Sequence, residues 1–194
     1  MGEKSNQKRR FILETAREVF AEKGYRTVTM KDIVDACKIS RGGLYLHFES
    51  TEEIFREILK LDEETEDASL DGKLDENSSP SDILAVFLKE QKKEILKKKS
   101  SLMAATYEFY FENKSDRKNN TLRKQFLTGV KVLENLIAAG MEAGEFYAED
   151  PTATARNMMY VLEGLKIASQ TVGVTEKAVD EEIMYLMSGL LVEE

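Results

Sequence analysis

The sequence predicts an all-α protein built in two parts, and three observations carry that expectation. Its 194 residues include only two prolines, Pro80 and Pro151, each placed where a helix would begin. Apolar residues recur at helical spacing along most of the chain. The cleanest run, Leu122, Phe126, Val130, Leu133, Ile137 and Met141, advances by three or four residues at every step. Residues that cap helix starts (Thr29, Ser40, Ser50, Ser79, Asp150 and Thr175) stand just ahead of such runs.

Taken in order, residues 1–6 read as a polar tail and Gln7 to Lys23 as the first helix. Ile12, Ala16, Val19 and Phe20 form its inward face, and Gly24 stops it by taking the left-handed conformation. Lys8, Arg9 and Arg10 put positive charge at the helix start, against the dipole. That cluster awaits either an external anion such as a phosphate or plain solvent.

The stretch from Thr27 to Phe55 organises the rest. Thr29, with Asp32 three residues on, caps a short helix whose Ile33 and Cys37 share a face. Lys38-Ile39 makes a turn. Ser40 caps a second short helix with Leu44 and Phe48 on its apolar side, and Ser50 with Glu53 forms a capping box for a helix over Thr51 to Glu66. Two short capped helices with such a turn read as a helix-turn-helix, whose second helix enters the DNA major groove. Two ordinary core helices are the plainer alternative. Arg41-Gly42-Gly43 favours the first reading. Glycines inside a helix cost roughly 1 kcal/mol each against alanine, yet they let a backbone approach another surface closely.

These residues, with Ile12-Leu13, Ala16, Phe20, Gly24-Tyr25 and Thr27-Val28-Thr29 before them and Leu44-Tyr45, His47-Phe48 and Glu52-Glu53-Ile54 after, resemble the TetR family of bacterial transcription regulators over the first third of the chain. The resemblance implies a three-helix helix-turn-helix DNA-binding domain over residues 6–66 and a six-helix ligand-binding and dimerisation domain over residues 67–194. It implies a homodimer formed by the last two helices. It also implies Thr29, Tyr45 and His47 as phosphate contacts. Ser40, Arg41, Gly42 and Gly43 complete the expected DNA surface, with Arg41 and Gly43 facing base edges. Three positions depart from the family pattern. Lys38 replaces the usual turn glycine, Cys37 a small alanine, and Thr51 a phosphate-contacting lysine. If the turn needs positive φ, Lys38 is strained.

Beyond Glu66, residues 67–80 are acidic and aperiodic and read as a loop. Ser79-Pro80-Ser81-Asp82 starts a helix through Phe87, Leu88, Gln91 and Ile95 that closes on Lys97-Lys98-Lys99. Leu102 to Phe111 reads as a short buried helix, Asn119 to Ala143 as a long one, Asp150 to Val172 as another, and a final helix follows Thr175. The last two are apolar on two sides: Met158, Leu162, Leu165 and Val172 beside Tyr160, Gly164, Ile167 and Thr171, then Val179, Ile183, Leu186 and Leu190 beside Met187 and Leu191. Met184 and Tyr185 lie on the far side. A partner chain is their natural cover, through Tyr160, Ile167, Ile183, Leu186, Met187 and Leu190.

Net charge is −8, but residues 1–50 hold ten Lys/Arg against seven Asp/Glu, so a +3 head precedes a −11 remainder. That split points one region at phosphate. No run is long enough to span a membrane and no signal peptide opens the chain, so the cytoplasm is expected. One cysteine allows no internal disulfide, and Cys37 reads as a small buried hydrophobe. One histidine and no cysteine cluster argue against a metal, and no phosphate loop or nucleophile elbow suggests an enzyme or a cofactor.

For a small-molecule site the candidates are Phe87, Met103, Tyr107, Tyr110, Phe126 and Met159, all equally able to be plain core. Glu108 and Glu163 join them, since each carboxylate sits in an apolar run and needs a partner, internal or cationic. The expectation is therefore a dimeric transcription regulator. It would repress from a near-palindromic operator on double-stranded DNA and let go when a small apolar or cationic effector binds. An architectural DNA-binding protein without effector, or a helical enzyme, are the alternatives.

Overall fold

The computed structural model describes residues 3–70, 78–97, 101–113 and 120–190. Residues 71–77 of the expected loop, Lys98, Lys99 and Leu191 lie outside these ranges. Among the described residues every regular element is an α-helix: α1 (Glu3–Lys23), α2 (Met30–Cys37), α3 (Arg41–Tyr45), α4 (Thr51–Leu70), α5 (Pro80–Leu96), α6 (Met103–Glu112), α7 (Thr121–Glu142), α8 (Pro151–Thr171) and α9 (Glu176–Ser188). Helix α4 runs four residues past the expected stop and takes the first part of the expected loop.

The caps work as the sequence suggests. The Thr29 hydroxyl accepts from Asp32 N while Asp32 Oδ2 accepts from Thr29 N, a reciprocal box; Ser79 and Asp82 repeat it at α5. Ser40, Asp150 and Thr175 accept at α3, α8 and α9. Lys38 ends α2 at φ 53°, the one non-glycine with positive φ among the described residues. Its Cβ therefore bears the left-handed strain that a glycine would escape.

The chain divides into two compact units, residues 1–71 with 98–121 and residues 72–97 with 122–194. The first holds α1 to α4 and α6. Ile12, Ala16 and Phe20 of α1, Ile33 and Cys37 of α2, Leu44 and Phe48 around α3, and Ile54, Phe55 and Ile58 of α4 form one core. Helix α6, expected with the body, joins this core through Ala105 and Phe109. Phe55 lies 4.8 Å from the Phe20 ring, 5.1 Å from Tyr25 and 5.2 Å from Phe109. The Glu108 carboxylate accepts from Arg26 N at 3.0 Å, and Arg26 pairs with Glu112 at 2.6 Å. Composition marked α6 as buried but could not say against what.

The second unit packs α5, α7, α8 and α9. Leu84, Leu88 and Ile95, Val130, Leu133 and Ile137, Met158 and Leu162, and Val179 fill it, joined by Phe146 and Leu190. The α7 stripe is followed closely: Val130, Leu133 and Ile137 are buried, Leu122 and Phe126 half-buried, and Met141 reaches the surface. After α7 the chain turns back at Gly144, φ +74°, and drives the Phe146 ring onto Gly140, where an added Cβ would meet a ring carbon at 2.0 Å.

Two substitutions test this account. Lys38→Gly should raise stability by about 0.5–1 kcal/mol, the relieved strain being partly offset by the freer unfolded chain. An unchanged urea midpoint would mean the turn carries no strain. Gly140→Ala should lower stability by about 1–3 kcal/mol, because the buried Phe146 ring cannot retreat. A wild-type midpoint would refute that packing.

Candidate nucleic-acid interface

Helices α2 and α3 are held by their inner faces, Ile33 and Cys37 on one and Leu44 on the other. Burial pushes the Cys37 thiol up from its ordinary value, and a hydrogen bond with Thr15 opposes this. The thiol is a packed, unreactive group.

What the inner faces bury, the outer face leaves open. Arg41 is exposed at the start of α3, its guanidinium 5.6 Å from the Tyr45 ring centre, with no carboxylate beside it among the described residues. That separates it from five of the other nine cations in residues 1–50. Of the ten Lys/Arg in residues 1–50, Arg9, Arg10, Arg17, Lys23 and Arg26 are paired with carboxylates. Lys4, Lys8, Lys31, Lys38 and Arg41 are exposed and, among the described residues, unpaired. The charge left for an external polyanion is concentrated at α1's start and around the α2–α3 turn.

The two glycines of α3 have different reasons. A Cβ on Gly43 would press on Ser40 Oγ at 3.1 Å, the atom that caps Gly43 N at 3.1 Å, so this glycine serves the cap. A Cβ on Gly42 would meet nothing within 4 Å. The protein itself has no steric need of a glycine there.

The other expected contacts are less free. Thr29 is exposed, but its hydroxyl donates to Asp32 at 2.5 Å, so a phosphate must displace that carboxylate to receive the proton. Asp32 is held by Lys23 at 2.6 Å. That hydrogen bond, with those from Thr29, keeps its carboxyl well below the usual carboxylate range. A lowered folded-state pKa gives stability that is fully present above the ordinary aspartate value and is lost progressively as pH falls from there through the folded-state value. Ser40 uses its oxygen as acceptor and keeps its proton for another partner. Tyr45 is exposed, while His47 and Thr51 are half-buried. Leu46, absent from the expected set, is 85% exposed directly after α3. The signal was legible: Leu44 and Phe48 supply the inner face, so the residue midway between them must point away.

The expected anion site at Lys8-Arg9-Arg10 is not formed as such. Helix α1 begins at Glu3, so the cluster lies past the first turn where the dipole acts. Arg10 pairs with Glu14 at 2.9 Å, and Arg9 turns inward to Glu57.

The candidate effector residues fall four to each unit. In the first, Met103, Tyr107, Glu108 and Tyr110 are half-buried on α6. Tyr110 Oη accepts from Thr121 N at 2.8 Å, and Glu108 is engaged by Arg26 N as described. In the second, Phe87, Phe126 and Glu163 are half-buried and Met159 is buried. Phe126 lies 5.0 Å from Tyr160, and the Met159 thioether fills the space that a side chain on Gly129 would take. Glu163 pairs with Lys166 at 2.8 Å. Neither carboxylate is therefore left unpaired, as the sequence allowed. Two concave sites in the second unit, of about 580 and 250 Å³, lie along α5 and α9 and take none of these eight residues as lining.

The expected dimer residues also separate. Tyr160 and Ile167 stand out from α8. Leu190 is fully buried within its own unit, and Ile183, Leu186 and Met187 pack onto the same core. Ile183, Leu186 and Met187 keep part of their surface open. The outward face of α9 is instead Met184, 69% exposed, and Tyr185, 74% exposed.

Among the described residues no cluster of His, Cys, Asp or Glu is arranged to hold a metal, and no helix is long and apolar enough to cross a membrane.

Comparison with known proteins matches both halves of the chain. Residues 12–58 fit the bacterial regulatory proteins of the tetR family, and residues 83–180 fit the tetracyclin repressor-like C-terminal domain. The chain is 32% identical over 149 residues to the uncharacterized HTH-type transcriptional regulator YfiR of Bacillus subtilis (strain 168), spanning 74% of this chain and 70% of that one. It is 46% identical over 55 residues to the HTH-type transcriptional repressor KstR2 of Mycobacterium tuberculosis, 28% of each chain. In structure, a regulator from Saccharomonospora viridis in complex with choline aligns with a TM-score of 0.79 at 19% identity, covering 97% of this chain and 100% of that one. KstR2 itself aligns at 0.71 with 21% identity, covering 95% of each. These structural likenesses establish the fold, and the sequence matches favour a regulator over an architectural protein or an enzyme. The chain belongs to the tetR family of bacterial regulatory proteins and is a DNA-binding transcriptional regulator without enzymatic activity.

Proposed function

We propose that the protein is a cytoplasmic, homodimeric repressor that binds a near-palindromic operator through α3 and its flanks and releases it when a small apolar or cationic effector binds. One observation supports the DNA surface above the others. Arg41, Gly42, Tyr45 and Leu46 form an outward face whose charge, bareness and apolar tip serve nothing inside the protein. In this reading Arg41 takes a guanine edge as a bidentate donor, and Leu46 suits a thymine methyl. Gly43 faces the base edges beside Arg41; Tyr45, His47, Thr29 and, more weakly, Thr51 line the phosphates on either side, and Ser40 completes the surface.

The dimer reading rests on Tyr160 and Ile167 of α8 with Met184 and Tyr185 of α9, large apolar groups left in water. Two copies would present two α3 helices to successive major grooves, roughly 34–36 Å apart. An effector that prefers another separation weakens operator binding, and operator weakens the effector by the same factor, about 5- to 150-fold for a coupling of 1–3 kcal/mol. The S. viridis neighbour is in complex with choline and KstR2 is named a ketosteroid transcriptional regulator, and both support the reading of a small cationic or apolar effector. Effector candidates remain Phe87, Met103, Tyr107, Glu108, Tyr110, Phe126, Met159 and Glu163. A cation using Glu163 must first displace Lys166.

Selection from randomised duplexes should return an inverted repeat; a set of sites without one would overturn the operator reading. Arg41→Ala should lose about 1–3 kcal/mol and relax the preference at one base pair per half-site. Gly42→Ala is the sharper test, because the added methyl meets no protein atom. It should leave thermal stability equal or higher and weaken operator binding at least tenfold, so unchanged affinity would remove α3's start from the interface. Tyr185→Asp combined with Ile167→Asp should give folded monomers in sedimentation at micromolar concentration. A persisting dimer would place the interface elsewhere.

A further inference from the structure

We propose that Arg9 is a positioning residue for DNA recognition, holding the end of α3 in register with α1 and α4 and making no contact with DNA itself. The inference rests on the reading of α3 as the DNA-reading helix.

Helix α3 is short. Its five residues close few hydrogen bonds of their own, Leu44 is its fully buried anchor, and Phe48 is buried three residues beyond its end. The backbone that leaves α3, from Leu46 to Phe48, has carbonyls that also need donors. Arg9, on the second turn of α1, supplies one. Its Nη1 donates to the His47 carbonyl oxygen. Its guanidinium lies 4.1 Å from the centre of the Phe48 ring. On the other edge Nε donates to Glu57 Oε2 at 3.0 Å and Nη2 to Glu57 Oε1, a bidentate pair with α4. Glu53 Oε1 stands 3.8 Å away, and Glu53 Oε2 accepts from Glu49 N at 2.7 Å in the cap of α4. One planar group thus meets α1's neighbours at the exit from α3 and the entry to α4. Its side chain is 27% exposed, against 80% for the adjacent Arg10. A lysine cannot replace it, since a point charge on a flexible stem cannot serve a carboxylate, a carbonyl and a ring face together.

Sequence alone places Arg9 in a basic run at the DNA-binding end, where a phosphate contact is the obvious role. The two roles predict opposite signs for Glu57→Gln, a near-isosteric change that releases Arg9 from its ion pair. If Arg9 were a phosphate contact, freeing it would strengthen DNA binding. If it positions α3, the change weakens operator binding.

The test measures binding of the full-length protein to its selected operator and to a scrambled duplex across a salt series, with thermal midpoints taken alongside. Glu57→Gln and Arg9→Gln are each expected to lose about tenfold in the operator-to-scrambled affinity ratio, and Arg9→Lys is expected not to restore it. The slope of log affinity against log salt should stay at the wild-type value, whereas loss of a phosphate contact lowers it by about 0.9. Tighter operator binding by Glu57→Gln, a reduced slope in Arg9→Gln, or equal losses on both duplexes would each overturn the proposal. Should Arg9→Gln fail to fold, Glu57→Gln carries the decision by its sign. A wild-type protein that selects no sequence at all would instead remove the reading of α3 on which the proposal stands.

Discussion

The first unit depends on the packing around Phe55. This ring, fully buried on α4, touches Phe20 of α1, Tyr25 of the α1–α2 corner and Phe109 of α6, all with ring centres near 5 Å. Aromatic pairs at these distances and tilts add specific attraction to the burial of large apolar area. Four segments from distant parts of the chain share one contact point. The short helices α2 and α3 could not persist alone, since isolated helices of that length are marginal in water. They persist because α1 and α4 present a fixed surface to Ile33, Cys37, Leu44 and Phe48.

Around that core, polar groups lock the loops and helix ends at defined angles. Lys23 and Thr29 hold Asp32 at the start of α2. Glu108 holds the backbone at Arg26, and its carboxylate lies so near Gly24 that any side chain there would collide with it at 2.8 Å. Gly24 therefore answers to two constraints, its φ of +78° and the approach of Glu108. Because so many cations are bound up in such contacts, formal charge overstates what the head can offer to DNA. The unpaired, exposed remainder is small and lies where α3 begins and α1 starts.

The second unit follows simpler rules. Its helices bury regular stripes, and its tightest point is Phe146 against Gly140. The apolar groups it leaves outside include Tyr160 and Ile167 on α8 and Met184 and Tyr185 on α9, and also Tyr147 and Val172.

Much of this was determined by the sequence alone. Helix starts follow from Thr29, Ser40, Ser79, Asp150 and Thr175, because capping is a local bargain between a side chain and amides three residues away. The strain at Lys38 was legible for the same reason, as was the outward stance of α3's first residues. Tertiary structure alone decided the partners. Periodicity reports that a face is covered, not by what, so nothing in Leu102 to Phe111 announced that α6 would pack with the head. A run of Lys8, Arg9 and Arg10 shows charge but not pairing, and the carboxylate that claims Arg9 lies 48 residues along the chain. Tyr185 on α9 and Leu190 just past its end look equally apolar in sequence, yet Leu190 is fully buried in its own core and Tyr185 is left in water. The difference is set by where α5 and α8 lie, and long-range geometry of that kind is written in no local pattern.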